Sequence, residues 1–285
     1  MYRINRIFLV FLSRVIILMV ATTYCGNDVS GQFTMQHAYG GSGEELCSKV
    51  LVVDGGIVLS GHTTTFGAGG YDFLLLKTDS NGDPLWTKTY GGLGEDISLG
   101  ADTTKDKGFI LIGYTNSFGA GSNDILLVKT DSLGSVEWSK AYGSIYGDWG
   151  YDVQQTTDGG YILTGYLDVS PPGPGLADTD LILLKTDSIG NVEWSSVFGD
   201  SLLHMGREVI QTDEGGYLVS GYSNASLGGL ADVFLVKTNS SGVPIWSKTY
   251  GAFYSEYGYS VGALDDGYVV ATLAYTDIYN TGNSA

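Results

Sequence analysis

Between about residues 33 and 275 the chain is a succession of short apolar runs cut by glycine-bearing polar turns, one roughly every 8 to 12 residues. Runs such as Phe73-Leu74-Leu75-Leu76 are apolar at every position. Continuous rather than alternating hydrophobicity predicts strands whose two sheet faces are both covered. The turns Asp54-Gly55-Gly56, Asp158-Gly159-Gly160, Glu214-Gly215-Gly216 and Asp266-Gly267 supply the positive φ that tight hairpins need. Helices of ordinary length do not fit between turns this frequent, and the chain reads as all-β.

The runs recur in sets of four, designated a to d. Strand a carries a tryptophan and ends in Tyr-Gly or Phe-Gly: Leu85 to Tyr90, Val136 to Tyr142, Val192 to Phe198 and Ile245 to Tyr250, with Phe33 to Tyr39 as a tryptophan-less version. Strand b is expected at Leu46 to Val53, Ile97 to Thr104, Tyr151 to Thr157, Glu208 to Thr212 and Tyr259 to Leu264. Strand c follows the glycine turn, and strand d is the Leu-Leu-Val-Lys run that opens the unit Asp124 to Trp138. That unit recurs as Asp72 to Trp86, Asp180 to Trp194 and Asp232 to Trp246. Its tryptophans, Trp86, Trp138, Trp194 and Trp246, stand 52, 56 and 52 residues apart. A period of this size, filled with short strands and tight turns, predicts a β-propeller of four-stranded blades. About five blades are expected, the last incomplete, because Thr276 to Ala285 offers no apolar run for a fifth strand d. A five-bladed ring with an incomplete blade and a chain that stops partway through a larger propeller of roughly six to eight blades both fit; the exposed edge left by the missing strand favours a truncated or incomplete ring.

Composition sharpens the setting. Lys and Arg total 14 against 31 acidic residues, a net charge of −17, and three of the four arginines lie at the N-terminus. Such a surface repels nucleic acid and anionic lipid. Residues 1–26 read as a signal peptide: Arg3, Arg6 and Arg14 give a positive n-region and Val15 to Ala21 an apolar h-region, too short and interrupted to span a membrane. Export and a secreted or cell-surface location are therefore expected, with no membrane span in the mature chain. The propeller is assigned to 33–275 and a tail or truncated blade to 276–285. With Cys25 in the leader, Cys47 is left alone and reads as a small buried hydrophobe.

One full copy of the repeat runs through Trp86, Tyr90, Gly91, Gly92, Asp96, Gly113, Tyr114, Thr115, Ser117, Asp124, Lys129, Asp131, Gly134 and Trp138. This set resembles the bacterial β-propeller repeat of secreted and cell-surface proteins, over nearly the whole mature chain. The resemblance implies the fold and a surface location, and no activity. The Asp-x-x-Gly-x-x-x-Trp turn is also similar to repeats of quinone-binding propeller dehydrogenases, in the blade and not in the cofactor site.

Alternating strands put the a–b and c–d loops at one end of the blades, where the loops vary among repeats, and the near-identical b–c and d–a turns at the other. Recognition is expected at the variable end. Glu45, Asp96, Asp148, His204 and Glu256 are equivalent at one loop position, and Asp72, Asp124, Asp180 and Asp232 at a second. These carboxylates read first as acceptors for their own loops. A ring holding Ca²⁺ is the sharper alternative, without the dense ligand spacing of a calcium loop. Asp79-Ser80-Asn81-Gly82-Asp83 reads as a turn. Aromatic side chains crowd the later loops, suited to sugar stacking, a protein partner or inter-blade packing. The candidate ligand-binding residues are Tyr146, Asp148, Trp149, His204, Arg207, Tyr254, Glu256 and Tyr257, for a polysaccharide or protein ligand.

No catalytic constellation is legible. A sialidase-like site needs clustered arginines, and His37, His62 and His204 occupy unrelated positions with no nucleophile elbow. The chain is accordingly expected not to be an enzyme and to hold no cofactor or dedicated metal; a hydrolase using loop carboxylates and a non-binding spacer are the alternative readings. Lys77, Lys129, Lys185 and Lys237 are expected to form exposed strand-end pairs with the residue two positions on.

Overall fold

The computed structural model describes residues 4–12, 15–23, 32–169, 178–199, 202–224, 230–251 and 254–274. The expected tail at 276–285 and Cys25 lie outside them.

The repeat is realised as antiparallel sheets in chain order. β1 (Ile4–Leu12), β2 (Val15–Thr23) and β3 (Gln32–Tyr39) form a three-stranded sheet. Four-stranded sheets follow, each in the order b–c–d–a. The first is β4 (Glu45–Val53), β5 (Gly56–Thr63), β6 (Asp72–Thr78) and β7 (Pro84–Tyr90). The second is β8 (Asp96–Thr103), β9 (Phe109–Thr115), β10 (Asp124–Thr130) and β11 (Val136–Tyr142). The third is β12 (Asp148–Gln155), β13 (Tyr161–Asp168), β14 (Thr179–Thr186) and β15 (Val192–Phe198). The fourth is β16 (His204–Gln211), β17 (Tyr217–Ser223), β18 (Asp232–Thr238) and β19 (Pro244–Tyr250). A two-stranded sheet, β20 (Glu256–Leu264) and β21 (Gly267–Ala274), ends the series. The chain is an all-β propeller of about five blades, the last represented by two strands among the described residues. No helix among the described residues is long and apolar enough to cross a membrane.

Two details differ from expectation. β12, β16 and β20 begin at Asp148, His204 and Glu256 rather than at Tyr151, Glu208 and Tyr259, so that Gly150, Gly206 and Gly258 lie inside the strands. β1 and β2 fall in the segment read as a leader. β2 pairs with β3 from Ile16↔Tyr39 to Val20↔Met35, with a register shift after Val20. This is the register of a d–a pair, Phe73↔Tyr90 to Lys77↔Trp86 with a shift after Lys77.

The chain divides into two compact units, Met1–Gly150 and Tyr151–Ala285. In the first, β8 packs over β4, β5 and β6, burying Val58, Phe73, Leu75, Phe109 and Leu111. In the second, β16 packs over β13 and β14, and β20 over β16, β17 and β18. Ile162, Leu181, Leu183, Val209 and Val219 form the core there. Burial of each such side chain contributes roughly 1.5–3 kcal/mol. In the four-stranded sheets strands c and d are mostly buried, whereas the a strands β7, β11, β15 and β19, and β21 of the last sheet, are largely exposed.

Packing between successive blades explains why the repeat keeps its tryptophan, tyrosine and turn glycine. The Trp86 ring meets Phe109 edge-on at 6.2 Å, and a Cβ on Gly134 would come within 3.1 Å of Trp86. Tyr90 donates its hydroxyl to the Gly134 carbonyl at 2.8 Å, as Tyr39 does to that of Gly82 at 2.7 Å. In the second unit Trp194 meets Tyr217 at 5.7 Å, and Gly242 would strike Trp194 if it carried a Cβ.

The repeated lysines correct a sequence expectation. Lys129 is buried, and its Nζ donates to Asp106 and Glu137, both at 2.7 Å, rather than to Asp131. Lys185 does the same with Asp158 at 3.0 Å and Glu193 at 2.9 Å. A bulge after each lysine moves the following acid into the turn, where Asp131 Oδ1 accepts the Leu133 and Ser135 amides, both at 2.8 Å. Asp79 likewise accepts from Asn81 and Asp83. Burial raises the Asp106 and Asp158 carboxyls, but hydrogen bonds from lysine, threonine and glycine outweigh it and hold both at about 2. Cys47 is buried, and loss of hydration pushes its thiol up to about 12.

Candidate functional site

The b strands open on a shared five-residue pattern: Glu45-Leu-Cys-Ser-Lys49, Asp96-Ile-Ser-Leu-Gly100, Asp148-Trp-Gly-Tyr-Asp152, His204-Met-Gly-Arg-Glu208 and Glu256-Tyr-Gly-Tyr-Ser260. The third residue is always small, and the structure shows why. The register to strand c shifts immediately after it, between Cys47 and Lys49, Ser98 and Gly100, Gly206 and Glu208, and Gly258 and Ser260. Each shift is a β-bulge that leaves one residue unpaired: Ser48, Leu99, Arg207 and Tyr259. Tyr151 holds the same place in the pattern. A bulge re-aims its extra side chain, which is why such irregularities accompany binding sites. The room comes from glycines. A Cβ on Gly206 would lie 2.1 Å from Thr164 Oγ1, and one on Gly258 2.6 Å from the Gly221 carbonyl oxygen. Across the ladder, Gly61, Gly113 and Gly221 each face a strand-b carbonyl, at 1.8 Å from a built Cβ. The Gly of the Gly-Tyr-Thr motif is therefore the counterpart of the bulge.

In the second unit the bulged residues meet. The Arg207 guanidinium carbon lies 4.0 Å over the Tyr151 ring centroid and 5.4 Å from those of Tyr222 and Tyr259. Arg207 Nη2 donates to Tyr222 Oη at 3.3 Å. Tyr257 stands edge-on to Tyr222 at 4.7 Å and tilted to Tyr259 at 6.4 Å, while Tyr166 backs Tyr151 at 6.1 Å. Tyr166 and Tyr222 are buried; Tyr259 is 46% exposed, and Tyr151, Arg207 and Tyr257 are half-buried. Nearby carboxylates serve the backbone: Asp152 Oδ2 accepts the Val209 amide at 3.1 Å, and Glu208 Oε2 accepts that of Val261 at 2.6 Å. Burial, the largest influence, raises the Tyr222 hydroxyl against the opposing pull of Arg207.

The other predicted residues make different contacts. Trp149 stacks on Tyr114 at 4.3 Å and 17° in the first unit, a packing contact. Tyr146 belongs to the loop beside it, its amide bonded to Ser144 Oγ at 3.1 Å. Asp148 is buried and accepts the Ser144 amide. His204 is buried against Phe234 at 5.1 Å. Glu256 opens β20 with its amide on the Ala231 carbonyl at 2.6 Å, and Tyr254 is exposed in the preceding loop. Of the predicted set, the structure brings Arg207 and Tyr257 together. Tyr151, Tyr222 and Tyr259 complete the cluster; the signal for Tyr151 and Tyr259 was the Gly-Tyr step inside strand b, while Tyr222 lies in strand c.

The repeated loop acids act mainly on their own loops. Asp124 Oδ2 accepts the Ala120 and Gly121 amides at 3.0 Å, and Asp72 Oδ2 those of Ala68 and Gly69. Asp96 Oδ2 accepts from Gly92 at 2.8 Å and Ser117 at 2.7 Å. A Cβ on Gly91 would lie 2.3 Å from Asp72 Oδ1 and 2.6 Å from Asp96 Oδ2, which accounts for the glycine after Tyr90. Burial first, then the neighbouring Asp96 charge, raises the Asp72 carboxyl against the hydrogen bonds it receives. Among the described residues no group of three or more His, Cys, Asp or Glu side chains is placed to hold a metal ion.

No family model and no curated protein matches the chain. Among solved structures, the Neurospora crassa Pan2 WD40 domain is similar at 10% identity and a TM-score of 0.46, over 85% of this chain and 65% of that one. This chain thus spans less than two thirds of that structure's length. A Cellvibrio cellulosa alpha-L-arabinanase is similar at 11% identity and a TM-score of 0.43, over 87% of this chain and 96% of that one. The second corrects the expectation that the chain is not an enzyme: that structure is an enzyme, and the lack of a legible catalytic motif does not carry a non-enzymatic assignment.

Proposed function

We propose that the protein is an exported β-propeller that binds a glycan through the tyrosine cluster around Arg207. Residues 1–26 support export through their charge and hydropathy pattern, and the resemblance of the repeat to secreted propellers points the same way. The observation that carries the binding reading is the convergence of Tyr151, Arg207 and Tyr259 from three separate b strands within 5.4 Å of the guanidinium carbon. Accessible tyrosine rings combine an apolar face for sugar C–H groups with a hydroxyl for their polar rim. Calcium has no place in this reading.

An oligosaccharide array followed by calorimetry on the full chain tests it. Tyr151→Ala is expected to weaken binding about tenfold or more, the equivalent of roughly 1.4 kcal/mol. Trp149→Ala, which removes a ring packed on Tyr114 rather than on Arg207, is expected to stay within about twofold. Equal affinities for wild type and Tyr151→Ala would remove the cluster from the site. Analysis of the same incubations for shortened saccharides decides whether binding leads to cleavage. N-terminal sequencing of the extracellular protein tests the leader; a start at Met1 would contradict it.

A further inference from the structure

We propose, resting on the glycan reading, that the ligand is an acidic one: a uronate-containing polysaccharide whose carboxylate is read by Arg207. Three observations converge. Arg207 is the sole arginine after Arg14 in a chain of net charge −17. Among the described residues its guanidinium makes one hydrogen bond, to a neutral tyrosine hydroxyl, and no ion pair. The carboxylates beside it in strand b, Asp152 and Glu208, are turned onto the amides of Val209 and Val261. A half-buried guanidinium without a carboxylate is an unfavourable arrangement unless something completes it.

The geometry selects the approach. Nε is buried and has no acceptor among the described residues, so an anion reaches the guanidinium from the Nη side. Stacking on Tyr151 leaves the guanidinium edge for in-plane acceptors, and Nη1 with the second Nη2 proton forms the fork that matches a carboxylate. Tyr259, its ring centroid 5.4 Å from the guanidinium carbon, and its neighbour Tyr257 offer stacking surfaces for the sugar. At this net charge no long-range attraction draws an anion in. Recognition falls to a short, partly desolvated contact, which makes it specific for a carboxylate at one position on a sugar.

The test uses the full chain with tetramers of galacturonate, mannuronate and glucuronate, each as free acid and as methyl ester, by titration calorimetry. The ester keeps the sugar and removes the charge. At least one free acid is expected to bind ten- to a hundredfold more tightly than its ester, and Arg207→Gln is expected to erase that difference. Arg207→Lys, which keeps the charge without the fork, is expected to recover only part of it. Acid and ester binding equally, with Tyr151→Ala weakening both, would overturn the uronate inference and leave the glycan site standing. No binding of either form, with no neutral glycan retained on the array, would overturn both.

Discussion

The b strands of the first unit and those of the second carry the same backbone irregularity with different side chains. In the first, the bulge presents Ser48, whose hydroxyl donates to the Ser98 carbonyl at 2.7 Å, and the half-buried Leu99. In the second, it presents Arg207 and Tyr259, with Tyr151 in the matching place, gathered by ring and cation contacts. The repeat thus supplies a position and leaves its occupant open. Ser48 ties neighbouring strands together; Arg207, among the described residues, donates one hydrogen bond, to Tyr222, and makes no ion pair. A repeat protein can acquire a site by changing one residue per blade, provided that the glycines making room for the bulge stay in place.

The sharpest way to break that comparison is to attack the glycines. Gly113→Ala and Gly221→Ala each set a methyl group against a strand-b carbonyl, 1.8 Å from a built Cβ. Relieving this overlap needs a backbone shift, and each variant is expected to lose about 3 kcal/mol in urea unfolding. Similar losses in both units would show one shared device; a tolerant Gly113 beside an intolerant Gly221 would show two.

Next come the buried lysines. Lys129→Met and Lys185→Met keep the stem and remove the charge-assisted bonds to half-exposed carboxylates. Each is expected to lose about 1–2 kcal/mol, discounted for solvent screening. Neither should alter glycan binding, because these lysines belong to the turn end of the blades. A binding defect in Lys185→Met would dissolve the separation of scaffold from site.

Acid sharpens the same point. Asp106 and Asp158 have carboxyls depressed from 3.8 to about 2. Their stabilising contribution is complete above the ordinary carboxylate value and falls as pH drops from about 4 towards 2. Lys129→Met and Lys185→Met should flatten this part of the acid-unfolding profile; an unchanged profile would contradict the assigned pairs.

Much of the fold was legible because each local choice agreed with the whole. Positive φ at Gly55, Gly82, Gly134, Gly159, Gly190, Gly215 and Gly242 matches the turns expected from Asp-Gly and Ser-x-Gly steps. The continuous apolar runs became β6, β10, β14 and β18, buried on both faces. The site was legible only in part. Arg207 and Tyr257 stood out by type, whereas Tyr222 hid inside a repeated Gly-Tyr-Ser step whose counterparts serve packing, as Tyr114 does against Trp149. A bulge leaves no composition signal of its own beyond a small residue mid-strand. The lysine pairs were misread for a related reason: sequence spacing places Lys129 beside Asp131, but the bulge after it does not.

A single turn gives the smallest expected effect. Lys107 has a φ of 67° at the place held by Gly55, Gly159 and Gly215 in the other blades. Lys107→Gly should relieve left-handed strain and stabilise the protein by about 0.5–1 kcal/mol, while Gly159→Ala should destabilise it by roughly 1 kcal/mol. Thermal melts of the two variants shifting in the same direction would contradict the equivalence of these turns.

The most direct test of the central claim is NMR of the full chain labelled with ¹⁵N-arginine, titrated with tetragalacturonate and the other uronate tetramers. Its buried Nε–H gives Arg207 a slowly exchanging reporter, assigned through Arg207→Lys. One acid tetramer is expected to shift the Arg207 Nε–H signal saturably and bring its Nη protons into view, while the methyl ester does not. Arg207 signals that stay fixed through saturation with every tetramer would contradict it.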